Sequence, residues 1–377
     1  MTAKLTGTGA PPGRAAYRGR AMTWLSTVFA RNTSAVNWAR GVMFLDIALV
    51  PLVVFAAIGH DEYLLSAVFG AVFVVLIDPG GAMRGRVVRM AVFAVIGAGL
   101  TALAFGLAGV AWGWLVLAAF VVVLLGGLAA VRGMHAVVAA TLLNVWFIVA
   151  LSLAVEIHQQ PRIHNHIWAQ VLAWAGGAAL WIAVAAVWWL IRGRRDAPQP
   201  VAEIPGDTSP RKLTPPVLVF AGIRAVAIAG SVALAFGLGL SHADWLPIAT
   251  MVAVKPTLAQ STLNATQRVV GAVLGAVAAA LLLLIPANES GARLLSINHA
   301  LEVLAIVLLV HAVAIRLWNY AFYTATVAAA VLILEDLVQP STYTAEGERV
   351  LWTLVGAAIG VLVMLLAGLL TRRTTRS

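Results

Sequence analysis

The chain has no cysteine, which excludes disulfide stapling, thiolate metal sites and thiol redox chemistry. Charge is scarce too: 11% of residues are Asp, Glu, Lys or Arg, against about 25% in soluble domains. Acid is scarcer than base, 15 residues against 25, which leaves a net charge of +10. No catalytic triad or paired-carboxylate constellation is present, so no catalytic residue is assigned and no enzyme activity is expected. No cofactor is implied either. Glycine-rich stretches such as Gly97-Ala98-Gly99 and Gly271-Ala272-Val273-Leu274-Gly275 lack the Lys-Ser/Thr that closes a phosphate loop, and read as helix-packing seams. Glu156, His158, His164 and His166 match no ligand spacing of a metal motif, so no metal is expected.

What the sequence has in excess is apolar side chain. Of its 377 residues 62% are hydrophobic, and the mean hydropathy is +0.95. Such a chain has too little polar surface to cover its own interior in water. The net positive charge is then explained by Lys and Arg retained on one side of a membrane. A nucleic-acid partner is not expected, since no basic–aromatic groove motif is present.

A helix needs about 20 apolar residues to cross the hydrocarbon core. Apolar runs lie at roughly 41–59, 63–77, 87–109, 111–130, 134–155 and 167–191, then 217–240, 245–258, 268–285, 300–315, 317–334 and 350–370. They lack the strict alternation of a membrane barrel. The expected fold is therefore all-α: a polytopic bundle of about twelve spans. Residues 1–40 form an N-terminal segment, disordered over 1–20, with an amphipathic helix over 21–39 (Met22, Leu25, Phe29 and Val36 near helical spacing) lying on the first span. Residues 41–191 and 217–371 hold six spans each, 192–216 is a Pro- and Arg-containing linker, and 372–377 is a tail. With the N-terminus in the cytoplasm, the basic residues of both termini, the linker and the loops at Arg84–Arg89, Arg132, Arg268 and Arg316 all fall inside. Only Arg162, Arg293 and Arg349 fall outside. A cell (inner) membrane location with both termini cytoplasmic follows; a homo-oligomer is allowed but not specified.

The halves repeat. Shifted by 182 residues, Gly59-His60-Asp61-Glu62-Tyr63-Leu64 falls on Ser241-His242-Ala243-Asp244-Trp245-Leu246, and Arg86-Val87-Val88 falls on Arg268-Val269-Val270. Six spans is an even number, so the halves are expected to run parallel, related by a pseudo-two-fold axis along the membrane normal.

Short apolar segments at matching places in two halves point to a transport site. The second spans qualify: one stops at Asp78-Pro79, the other at Lys255-Pro256, followed by Gln260, Ser261, Thr262, Asn264, Thr266, Gln267 and Arg268. Lys255, Pro256, Gln260, Asn264, Arg268, Asp78 and Arg86 are accordingly candidates for binding an anion. The bland alternative is an early helix end followed by an ordinary loop over 257–267, with Lys255 snorkelling. Deeper in the runs lie Asp46 and Arg224, at nearly equivalent places. They form either a structural ion pair, or a proton-coupling carboxylate (Asp46) and a substrate-binding arginine (Arg224). Asn144, Asn319, Tyr320 and Tyr323 read as cavity lining or as interhelical hydrogen-bonding and interface residues. His135 and His311 read as packing histidines.

The run Trp245-Leu-Pro-Ile-Ala-Thr-Met-Val-Ala-Val-Lys255-Pro256 with Arg268-Val-Val-Gly271-Ala-Val-Leu-Gly275 resembles the fusaric acid resistance protein-like family of bacterial membrane proteins. That family is grouped with aromatic acid exporters and is distantly similar to plant aluminium-activated malate transporters. The first half matches more loosely, through Tyr63, Asp78-Pro79 and Arg86-Val-Val, with aspartate in place of the basic residue. The resemblance implies a secondary, proton-coupled exporter whose partners are the lipid bilayer and a small organic or aromatic acid or drug. Three readings compete. One is a major-facilitator-like carrier, whose loop residue types recur at different intervals in Asp78-Pro-Gly-Gly-Ala-Met-Arg84-Gly-Arg86. The others are a non-transporting scaffold in envelope assembly and an anion channel.

Overall fold

In the computed structural model, the described residues are 26–30, 36, 38–159, 166–195, 214–240, 245–254, 258–283, 295–315, 318–338 and 343–374. Expectations for residues 1–20, most of the 192–216 linker, Lys255, Pro256, Arg162 and His164 lie outside them. Twelve α-helices and no strand occur among the described residues. The first six are α1 (Trp38–Ile58), α2 (Leu64–Ile77), α3 (Met83–Gly106), α4 (Trp112–Leu128), α5 (Met134–Gln159) and α6 (Ile167–Ile191). The next six are α7 (Pro215–Gly237), α8 (Trp245–Ala253), α9 (Leu258–Leu283), α10 (Leu295–Ile315), α11 (Tyr320–Val338) and α12 (Tyr343–Thr374).

Helices that are apolar on every side are stable only where water is absent. Val95, Leu125, Ile191 and Leu362 stand out on the periphery, each more than half exposed, on a face that lipid satisfies and water does not. Five helical segments among the described residues are long and apolar enough to cross a membrane: Met83–Gly106, His135–His158, Ile167–Ile191, Val217–Gly237 and Val350–Ala367. The protein is a polytopic membrane protein. On α6 the exposed Trp168 and Trp188 lie twenty residues apart, about 30 Å along a helix. That is the hydrocarbon thickness, and tryptophan belts mark its two borders. Arg192 stacks on Trp188 at 4.9 Å, and Arg194 lies 5.9 Å from the ring of Trp189, as expected where helix meets headgroups.

Helices pack here through small residues, because lipid tails give apolar side chains no reason to leave them. α2 lies on α6 where Gly70 meets the backbone of Trp174 and Gly177 meets that of Ala67. α8 lies on α12 where Gly356 meets Leu246, and α9 lies on α11 at Gly271 and Gly275. A β-branched side chain at Gly177 has no space, so Gly177→Val is expected to destabilise by at least about 2 kcal/mol. A lowered thermal unfolding midpoint of the purified protein is the readout. Between these seams a tryptophan pair fills the centre of the first six helices. Trp146 stacks on Trp174 at 4.8 Å, with Trp146 Nε1 donating to Thr101 Oγ1 (2.9 Å) and Trp174 Nε1 to the Ala94 carbonyl (3.0 Å). Both indoles bury their area and satisfy their N–H.

The two groups of helices interlock. α1 packs on α10, where Gly41 meets Val310, and α4 packs on α7, where Gly127 meets Ala221. The main apolar core crosses the boundary, taking in Ala225, Ile228, Val232 and Met251.

One expectation needs correction. The polar stretch 258–267 is neither a loop nor a break; it is the first part of α9, continuous through Arg268, because Leu258, Ala259, Leu263 and Ala265 are good helix formers at close spacing. Of the N-terminal segment before residue 36, residues 26–30 are described. They dock on the starts of α9 and α11, where Gln267 Nε2 donates to the Val28 carbonyl (3.0 Å) and Asn319 Nδ2 to those of Val28 (3.0 Å) and Ala30 (2.9 Å). Val28 is fully buried there, and Phe29 lies 6.1 Å from Phe322. Asn319 Oδ1 meanwhile caps α11, accepting from the backbone N–H of Ala321 and Phe322. Asn319→Ala is expected to free the segment and cost about 1–2 kcal/mol. Faster proteolytic clipping before residue 36 checks it.

Candidate intramembrane anion site

Both second helices are short. At 1.5 Å per residue α2, with 14 residues, covers about 21 Å and α8, with nine, about 14 Å, against a hydrocarbon core of about 30 Å. Where α2 stops, the chain turns through Asp78-Pro79-Gly80-Gly81, and both glycines take positive φ, +61° and +77°, which glycine adopts without strain. The turn is held by one carboxylate. Asp78 Oδ1 accepts from Arg86 Nε (2.5 Å) and the Gly80 backbone N–H (3.0 Å). Its Oδ2 accepts from the Arg86 guanidinium and from Trp181 Nε1 (3.0 Å). The Asp78–Arg86 pair is bidentate, and its side chains are only 9% and 10% exposed. Trp181 lies seven residues inside Trp188, about 10 Å below that border of the membrane. A buried pair is better tolerated at such depth when its remaining groups are hydrogen-bonded, and here each Asp78 oxygen accepts a further bond, from the Gly80 N–H and from Trp181 Nε1. The pair therefore joins the end of α2 to the start of α3 and α6, and Arg86 carries no spare charge.

Arg268, which the 182-residue register of the sequence sets opposite Arg86, is placed differently. Arg268 has no carboxylate partner among the described residues, and its Nε is buried without a hydrogen bond. Its guanidinium lies 6.0 Å from the ring of Trp245 at the start of α8, the outer limit of a cation–π contact. The 182-residue register sets Gln260 where the first half has Asp78. Gln260 and Asn264 are on α9, eight and four residues before Arg268, which puts Asn264 one turn away.

Arg224 is a buried cation that likewise has no carboxylate partner among the described residues. It is 6% exposed on α7, reaches Thr141 Oγ1 through one guanidinium nitrogen at 3.4 Å, and leaves Nε without a partner. Asp46 does not neutralise it. Asp46 is exposed on α1, in line with the exposed Val42 and Val50 one turn to either side, and no ion pair joins it to Arg224 among the described residues. A guanidinium taken out of water unpaired costs several kcal/mol, so Arg224 holds standing electrostatic demand inside the bundle, and half-buried Arg268 a smaller one.

Other residues take quieter places. His311 meets Trp38 edge-on at 4.8 Å and bonds the Val307 carbonyl, the behaviour of a packing histidine, and His135 is exposed. Tyr320 and Tyr323 lie 5.7 Å apart on α11. No group of three or more His, Cys, Asp or Glu positioned to hold a metal occurs among the described residues. Three residues had no sequence signal: Trp181, which completes the carboxylate of Asp78; Thr141, which meets Arg224; and Gln170, which joins Ser66 and the Glu62 carbonyl.

Arg268, without a carboxylate partner among the described residues, lies in the part of the chain that matches a known family. Residues 227–363 match the fusaric acid resistance protein-like family. The fusaric acid resistance protein-like segment runs from within α7 to within α12. It contains Arg268, Gln260, Asn264, Lys255 and Pro256, and leaves Arg224, Asp46 and the Asp78–Arg86 pair outside. No curated protein and no solved structure matches the chain.

Proposed function

We propose that the protein is a secondary exporter of small organic acids, aromatic acids and related drugs among them. It is built from two parallel six-helix units and set in the cell membrane with both termini in the cytoplasm. One observation carries this: Arg224, buried on α7, and Arg268, half-buried on α9 with an unbonded Nε, have no carboxylate partner among the described residues, while Arg86, 182 residues before Arg268, is paired with Asp78. Ionisable residues inside a bundle mark substrate pathways by default, and net positive charge in a low-dielectric interior selects anions.

The packing supports the duplicated architecture. The second helix of each unit lies on the sixth, the third on the fifth and the sixth, and the first of each on the fourth of the other. That exchange supports a reading of two matched units. Arg224 and Arg268 belong to substrate binding in this reading, with Lys255, Pro256, Gln260 and Asn264 beside Arg268 in the sequence, Asp78 and Arg86 hold the matching hairpin, and Asp46 carries the coupling proton.

The test is flux of labelled benzoate in proteoliposomes across an imposed pH gradient. Saturable movement driven by the gradient is expected. Leak independent of the gradient would indicate a channel, and no movement for any of a broad panel of carboxylates would favour a scaffold. Asp46→Asn is expected to abolish the response to the gradient; an unchanged pH dependence would remove Asp46 from the mechanism.

A further inference from the structure

We infer that Arg224, Thr141 and Asn144 form a binding site for the carboxylate of a small organic monoanion, closed over in this conformation. The inference rests on the anion-carrier reading and names the group that reading leaves open. Arg224 is 6% and Asn144 2% exposed, and each holds a donor, Nε and Nδ2 respectively, with no acceptor.

Three helices bring them together. Thr141 and Asn144 are one turn apart on α5. The Asn144 amide packs on Gly126 of α4, and the adjacent Gly127 abuts Ala221 of α7, one turn before Arg224. Arg224 then returns to α5 at Thr141 Oγ1 (3.4 Å). The Thr141 hydroxyl donates to the Val137 carbonyl (2.8 Å), so toward Arg224 it acts only as an acceptor.

What remains unsatisfied is donors alone, with one positive charge. A carboxylate brings two acceptor oxygens, matches the planar guanidinium fork and carries one negative charge. A cation or an amide would add donors to donors, and a dianion would leave a buried negative charge uncompensated. Gly126, Gly127 and Ala221 let α4, α5 and α7 close tightly here, with no room for even a methyl group at either glycine, so a ligand enters only when these helices part.

The full-length protein is titrated calorimetrically in detergent with benzoate and with benzamide, its neutral isostere. Benzoate is expected to bind, and benzamide at least about tenfold more weakly. Arg224→Gln is expected to weaken benzoate at least about tenfold, and Asn144→Leu about three- to tenfold. Should Arg224→Gln fail to fold, Arg224→Lys, which keeps the charge but loses the fork, is expected to give an intermediate loss. Equal binding of benzamide and benzoate, or undiminished benzoate binding by Arg224→Gln and Asn144→Leu, would overturn the site. Benzoate binding that needs Arg224 in a protein showing no flux would uphold the site and contradict the carrier. Gradient-driven flux unchanged by Arg224→Gln would overturn the site and leave the carrier standing.

Discussion

Asp78→Ala is expected to destabilise the protein by about 3–5 kcal/mol, because it leaves the Arg86 guanidinium charged and unpaired inside the bundle. Against a total stability of about 5–15 kcal/mol for a typical folded domain, that is a large loss. The order among variants follows from the contacts. Arg86→Ala costs less, since Asp78 keeps its bonds from the Gly80 N–H and Trp181 Nε1. Trp181→Phe removes a single hydrogen bond to a charged group, about 1.5–3 kcal/mol. Removing both charges together, with Asp78→Asn and Arg86→Gln, is expected to restore more than half of what Asp78→Ala loses, because neither partner is then a buried ion. Thermal unfolding of the purified variants reads all four. An Asp78→Ala protein as stable as the unaltered chain would refute the account of the turn.

Arg268→Gln is expected to lower benzoate flux at least about tenfold, with little change in stability. Tenfold corresponds to about 1.4 kcal/mol, a modest demand on a guanidinium with no carboxylate partner. Stability should hold because the half-buried arginine has no carboxylate partner among the described residues to abandon, and its unbonded Nε goes with it. Arg86→Gln is expected to do the reverse, lowering stability while leaving the flux per folded molecule nearly unchanged. The contrast makes the pair diagnostic: two arginines 182 residues apart, one expected to serve stability and the other flux. Equal flux from Arg268→Gln and the unaltered protein, normalised to folded protein, would contradict it.

Much of the helix map is legible in the sequence, because a membrane span is a long apolar run and composition alone reveals it. The run at 41–59 becomes Trp38–Ile58, that at 111–130 becomes Trp112–Leu128, and that at 167–191 becomes Ile167–Ile191. The start of α9 is different. Polar residues from Gln260 to Gln267 mimic a loop, yet they continue a helix whose Gln267 holds a carbonyl of the N-terminal segment; hydropathy cannot see a partner hundreds of residues away. The site was legible in residue type and not in pairing. Arg86, Arg224 and Arg268 stand out as charges in or beside apolar runs, but nothing in their spacing tells that Asp78 closes on Arg86 with help from Trp181. Nor does it tell that Asp46 faces outward while Thr141 meets Arg224. Those are tertiary choices, fixed by which helix faces a glycine seam brings together.

Whether α2 and α8 carry the chain across the membrane decides how the two halves are oriented. If both cross, each half has six passes and the halves are parallel; if both turn back, each has five and the halves are inverted. With no native cysteine, single cysteines read this without background. His60→Cys and His242→Cys, 182 residues apart, are labelled in intact cells with a membrane-impermeant maleimide, beside Arg84→Cys and Arg194→Cys. Labelling of positions 60 and 242 from outside, with 84 and 194 reached only after permeabilisation, is the predicted result. Positions 60 and 242 on opposite sides would contradict the account.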